Sequence, residues 1–267
     1  MKRNPTIHLR RKLPARIYGL LAGASVAVIV VAWALTSYSG AVSPIFLPTP
    51  SAVVASAAVL VQKGDFANDI WMSFARIAMG AMLSMLVAIP LGIYISVNKH
   101  AEAIFDPIIG FIRYVPAPAF VPLFILWFGI DEMQKILFIF AVVAPYVVVM
   151  VTDAVSSVKK ELTEAALTLG AGHSEVIRHV IIPSSLPAIW DAARLMTSWA
   201  WASVVFAEMV AATSGLGHMI VTAQRFLRTS DVFVAILVIG CLGLATEYIF
   251  RLSYRNFFPW AEKTRHA

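Results

Sequence analysis

Glu164-Ala165-Ala166-Leu167-Thr168-Leu169-Gly170-Ala171-Gly172-His173-Ser174-Glu175-Val176-Ile177-Arg178-His179-Val180-Ile181-Ile182-Pro183 is the stretch on which the reading of this chain turns. Leu162, Ala165, Ala166 and Leu169 fall at i, i+3, i+4 and i+7, on one side of a helix about two turns long. Gly170 and Gly172 permit the positive φ of a sharp helix end and turn. Ser174 stands where a cap would open a second short helix, whose Val176, Ile177, Val180 and Ile181 share a side, and Pro183 discourages its continuation. Two short amphipathic helices meeting at a glycine corner suit neither a bilayer interior nor free water. The pattern alone fits two arrangements: a pair resting on lipid headgroups, or a knob lying in a partner's groove.

The flanks of this segment decide the fold class. Of 267 residues 60% are hydrophobic and 13% charged, and the mean hydropathy is +0.80. A soluble domain carries about 25% charged residues, so this composition belongs to an integral membrane protein. The apolar residues come in unbroken runs, which predicts helices where a transmembrane barrel would alternate every second residue. The chain therefore reads as an all-α polytopic membrane protein with six transmembrane helices, near 17–38, 69–97, 107–129, 135–155, 186–212 and 232–250. Residues 1–16 form a basic amino-terminal segment, 39–68 an outer segment with a short helix, 69–250 a five-helix core containing the loop 156–184, and 251–267 a tail. The run from Ile17 carries no charge until Lys63. It is long for a secretory signal and is followed by a poor cleavage site, so it reads as a retained first helix.

With the amino terminus in the cytoplasm, the cytoplasmic segments hold 14 of the 21 Lys and Arg, the outer segments 4 and the spans 3. The Lys/Arg bias sets orientation, which puts both termini and the loop 156–184 inside. The same bias accounts for the net charge of +6 without nucleic acid; anionic membrane lipid suffices. No lysine follows a glycine, so no P-loop is present, and His-Glu-x-x-His and Gly-x-Ser-x-Gly are missing as well. Enzymatic activity, a cofactor and a metal site are not expected. Cys241, the single cysteine, reads as a small buried residue.

A charge at the centre of a span costs about 2.5–3.5 kcal/mol on insertion scales, so each must sit near an end, pair, or face a wet path. Asp191 and Arg194 are three apart and within pairing reach. Arg76 and Arg113 either lend positive potential to an anion route or anchor span ends and bond carbonyls. Glu208 and Glu247 have several readings that the sequence leaves open, and His218 joins this group of polar candidates. Pro116, Pro118 and Pro122 predict irregular backbone in the third span.

Glu-Ala-Ala, three residues, Gly, nine residues and Ile-x-Leu-Pro is the loop signature that this segment resembles. Glu164-Ala165-Ala166, Gly170 and Pro183 stand in register, with Val180 for the favoured Ile and Ile182 for Leu. It is similar to the membrane subunits of bacterial ATP-binding-cassette importers. Leu123 to Ile130 with Pro116, Pro118 and Pro122, then Ala207-Glu208-Met209 and Gly215-Leu216-Gly217-His218-Met219-Ile220, resemble the nitrate, sulfonate, taurine and bicarbonate branch. The resemblance implies a type I importer permease fold in the bacterial inner membrane, passing a small anion. It also implies a homodimer, two cytoplasmic ATPase subunits that bind ATP and Mg, and a periplasmic or lipid-anchored solute-binding protein. Glu164, Ala165, Ala166, Leu169, Gly170, Gly172, Ile182 and Pro183 would then form the ATPase-docking loop. A self-contained secondary transporter and a membrane scaffold recruiting an ATPase are the alternatives.

Overall fold

The computed structural model of the protein describes residues 14–261. Most of the basic amino-terminal segment, and the tail beyond Ala261, lie outside the described residues. Among the described residues, the elements in order are α1 (Ala15–Tyr38), α2 (Pro50–Gln62), α3 (Asp65–Val97), α4 (Lys99–Tyr114), α5 (Ala117–Phe128), α6 (Glu132–Ser156), α7 (Lys160–Thr168), α8 (His173–Val176), a π turn (Ile177–Ile181), α9 (Ile182–Ala211), α10 (Leu216–Arg225) and α11 (Thr229–Phe257). No strand occurs among them.

α1, α3, α6 and α11 are long and apolar enough to cross a membrane, and the bent pair α4–α5 makes a fifth. The 30-residue α9 is the sixth long element. It carries Asp191, Arg194 and Glu208 yet packs amid α3, α5, α6, α10 and α11, so its polar side chains meet other helices rather than lipid. The short helix expected within 39–68 is present as α2, opened by Thr49, whose Oγ1 accepts from the Ala52 amide at 3.3 Å.

α3 and α6 run side by side in the same direction, from the Arg76–Glu132 contact at one end to the Ser96–Ser156 hydroxyl pair, 3.0 Å, at the other. Small residues allow this closeness: a Cβ on Gly80 would sit 2.6 Å from Ile139 Cγ2, and one on Gly92 would sit 2.8 Å from the Val148 carbonyl oxygen. α9 returns antiparallel to both, and Ile77, Val143, Val147, Ile189, Ala200 and Val204 interlock between the three. α1 is exposed along most of its length and is held toward its carboxy-terminal end, where Trp33 stacks on Phe233 at 5.6 Å and donates to the Pro48 carbonyl at 3.0 Å.

Several elements differ from the sequence reading. The third span is two helices: α4 begins at Lys99, and it meets α5 at a 100° bend across Val115 and Pro116. Pro118 and Pro122 are accommodated inside α5. Ser174 caps nothing, because Gly172 precedes the helix and the Glu175 carboxylate reaches back to accept from its amide at 2.8 Å. Gly172 has φ −74°, leaving Gly170 at φ +92° as the left-handed corner. Pro183 does not end the second short helix. The π turn lets α8 continue into α9, absorbing the ladder bond that the proline cannot make. The polar stretch after α9 contains a helix, α10, that the hydropathy pattern does not announce. Cys241 is exposed on α11 rather than buried.

Candidate functional site

The loop segment occupies one end of the bundle. Of the predicted stripe, Leu162, Ala165 and Leu169 point away from the bundle, Leu169 with 88% of its surface exposed, while Ala166 is half-buried. No residue of α7 is buried. Thr163 and Leu167 line a gap against the ends of α3 and α6, with Val176 and Ile181 opposite. Glu164 is exposed, and its backbone carbonyl accepts from Thr168 Oγ1 at 2.8 Å. Ile182 and Pro183 are set apart from this helix, at the start of α9. An apolar row thus faces outward on a short helix whose other side touches its own chain.

The opposite end holds a buried polar cluster that joins α3, α6, α9 and the approach to α10. Arg76 and Glu208 are both fully buried. Arg76 Nη1 donates to Glu208 at 2.7 Å and to the Ser214 carbonyl at 2.7 Å. Its Nη2 donates to Glu132 at 2.7 Å and to Ser214 Oγ at 3.2 Å, and its Nε to Glu132 at 2.6 Å. A guanidinium has five N–H donors, so Arg76 has none left for a passing anion. Glu208 also accepts from the Gly217 amide and from the Ser73 hydroxyl, each at 2.8 Å. Ser73 in turn accepts from the Leu216 amide at 2.8 Å, and Asp69 accepts from the Gly215 amide at 2.7 Å. Lys135 adds a second cation beside Glu132, at 3.3 Å.

Gly215 and Gly217 are required at this cluster on steric grounds. Gly215 has φ +113°, and a Cβ there would lie 2.5 Å from Glu208 Cδ and 2.6 Å from Arg76 Nη1. A Cβ on Gly217 would lie 2.8 Å from Glu208 Cβ. Glu208 and the Gly215-Leu216-Gly217 stretch, separate features in the sequence, are therefore two halves of one interlocked structure. Asp69, Ser73, Glu132, Lys135 and Ser214 belong to it as well, and of these only Asp69 and Ser73 carry a signal in the sequence, through their helical spacing with Arg76. His218 lies just beyond, on α10, 3.4 Å from Thr222 Oγ1, beside a cavity of about 450 Å³ bounded also by Lys63, Asp69 and Arg228.

The remaining candidates separate. Arg194 lies 3.3 Å from Asp191 and is bonded to Glu247 of α11, which Arg251 also reaches at 3.2 Å. Arg113 stands apart at the end of α4, its guanidinium 5.4 Å from the centroid of the Tyr146 ring.

The family model described as "Binding-protein-dependent transport system inner membrane component" matches residues 84–263. The chain belongs to this family. It is a multi-pass inner-membrane permease subunit of an ATP-binding-cassette importer. Among its relatives is the taurine transport system permease protein TauC of Escherichia coli (strain K12), 33% identical over 265 residues that cover 96% of each chain. The bicarbonate transport system permease protein CmpB of Synechococcus elongatus is 25% identical over 204 residues, covering 76% of this permease and 70% of that one. In three dimensions the permease resembles a chain of the MetNI methionine ABC transporter in an inward-facing conformation. The TM-score is 0.67 at 17% identity, over 73% of this chain and 97% of that one, a likeness of fold.

Proposed function

We propose that this permease passes a small anion with an oxygen-rich head, of the sulfonate or bicarbonate kind, driven by ATPase subunits that dock on α7. Two copies enclose the path, a solute-binding protein delivers the cargo at the α2–α10 end, and the α7 end faces the cytoplasm. The observation that carries the reading is the outward apolar row Leu162, Ala165 and Leu169, left uncovered on a helix of which no residue is buried. A helix offered this way matches recognition in a partner's groove. The relatives' names, taurine and bicarbonate transport permeases, supply the cargo class. The 14-to-4 distribution of Lys and Arg supplies the orientation.

Two substitutions test the docking. Gly170→Val penalises the left-handed corner at φ +92° and re-aims α7 while leaving every long helix alone. Glu164→Lys reverses a charge on the exposed face of α7. Both variants are expected to insert normally, to lose solute-stimulated ATP hydrolysis and transport together, and, for Glu164→Lys, to retain less ATPase on purification. A helix resting on anionic headgroups would make Glu164→Lys neutral or more firmly attached. Full transport by both variants would remove the docking role.

A further inference from the structure

The place where α4 breaks against α5 holds a cavity of about 220 Å³, walled by the ends of those helices and by α6 and α9. Tyr146 of α6 and Trp199 of α9 stack on each other in its wall, 5.6 Å between centroids and 11° from parallel. Tyr146 Oη donates to the Arg113 carbonyl at 2.9 Å, occupying an acceptor at the interrupted end of α4. The arrangement is deep. Tyr146 lies ten residues before the end of α6 at Ser156, about 15 Å at 1.5 Å per residue, and still farther from its start. Trp199 lies twelve residues before the end of α9 at Ala211, about 18 Å by the same measure. An arginine at that level cannot reach a headgroup by extending its side chain.

Arg113 has no carboxylate for company. No acidic residue lines the cavity, its guanidinium forms no ion pair or hydrogen bond among the described residues, and its Nε is buried without a partner. Its one compensation is the Tyr146 ring, worth about 0.5–2 kcal/mol, against about 2.5–3.5 kcal/mol for a cation at the centre of a span. The contrast with Arg76 is informative: the fully buried Arg76 has every donor taken, and the half-buried Arg113 has its donors free beside an empty volume. That volume is smaller than the roughly 300–1,000 Å³ of drug-sized pockets and admits a solute of a few heavy atoms. It opens beside Trp199, half of whose surface is exposed.

We infer that Arg113, Tyr146 and Trp199 form a binding site for a small oxyanion within the membrane. The planar fork of Arg113 takes two oxygens of a sulfonate or bicarbonate head, and the stacked pair of rings forms one wall against the rest of the solute. The identity of the anion as cargo rests on the function proposed above; the site itself rests on the geometry. Irregular backbone at membrane depth is tolerated where it borders a cavity, which gives the α4–α5 break its purpose.

The test is a titration of the full-length permease in phosphatidylcholine nanodiscs with ethanesulfonate and with bicarbonate, read by calorimetry. The wild type is expected to bind at least one of them saturably. Arg113→Gln is expected to bind about tenfold to a hundredfold more weakly and Arg113→Lys to fall between, as for loss of hydrogen bonds to a charged group. Arg113→Gln should also melt at or above the wild-type temperature, because it removes a half-buried charge that has no carboxylate partner. Equal binding by Arg113→Gln, no saturable binding by the wild type, or a lowered melting point for Arg113→Gln would each overturn the inference. Loss of ethanesulfonate binding on adding anionic lipid would overturn it too, by making the site a phosphate-headgroup site. Failure of the importer reading shows separately, as absence of a co-purifying ATPase, and leaves the titration standing.

Discussion

Glu208 accepts from Arg76, the Gly217 amide and the Ser73 hydroxyl, and every one of these partners is a donor. A carboxylate serves them all, whereas a carboxamide must turn an NH2 toward one of them. Glu208→Gln is therefore expected to cost about 3 kcal/mol or more, the scale of breaking a buried pair from one side. Replacing Arg76 by Met and Glu208 by Leu together should recover part of the loss, since apolar groups leave no charge unpaired. Thermal unfolding in detergent checks both; a wild-type melting point for Glu208→Gln would mean the cluster is ornamental. Part of this cluster is legible in the sequence. Asp69, Ser73, Arg76, Gly80 and Ser84 fall at i, i+4, i+7, i+11 and i+15 in an otherwise apolar span, which marks the inward face of α3. The partners are not legible, because Glu132 and Ser214 come from segments whose positions relative to α3 only the assembled bundle fixes.

At the scale of elements, the contact between α3 and α6 depends on glycine more than on apolar area, since lipid is as apolar as a leucine side chain. Gly92→Ala would push a methyl group to within 2.8 Å of the Val148 carbonyl oxygen and Val151 Cβ. It is expected to destabilise by about 1–3 kcal/mol, as overpacking does. A methyl group on Gly110 in α4 would meet nothing within 4 Å, so Gly110→Ala should be neutral or gain about 0.5–1 kcal/mol from helix propensity. Equal effects of the two substitutions would show that close approach is not what α3 requires of Gly92. The long helices can be read from hydropathy because each needs only its own run of apolar residues. The 100° bend, the π turn before α9 and the short polar α10 cannot. Pro116 and Pro122 read alike in sequence, yet one stands at the bend and the other inside α5; neighbouring helices decide which proline breaks a span.

Across the whole molecule, the α7 end and the α2–α10 end differ in what they offer to water. The first carries the outward apolar row of Leu162, Ala165 and Leu169, and the second the cavity bordered by Lys63, Asp69, His218 and Arg228. The proposed machine works only if these ends lie on opposite sides of the membrane, with α7 on the side where ATP is found. The length of α6, 25 residues or about 37 Å, spans a hydrocarbon core of about 30 Å with a turn to spare. Cysteines placed at Ser157 and at Gln62, both exposed, report the two ends in a Cys241→Ser background, which is needed because Cys241 is itself exposed. An impermeant maleimide is expected to label position 62 in intact spheroplasts and position 157 only after the inner face is opened. Labelling in the reverse order would invert the permease, put α7 out of reach of any cytoplasmic ATPase, and take the proposed function with it.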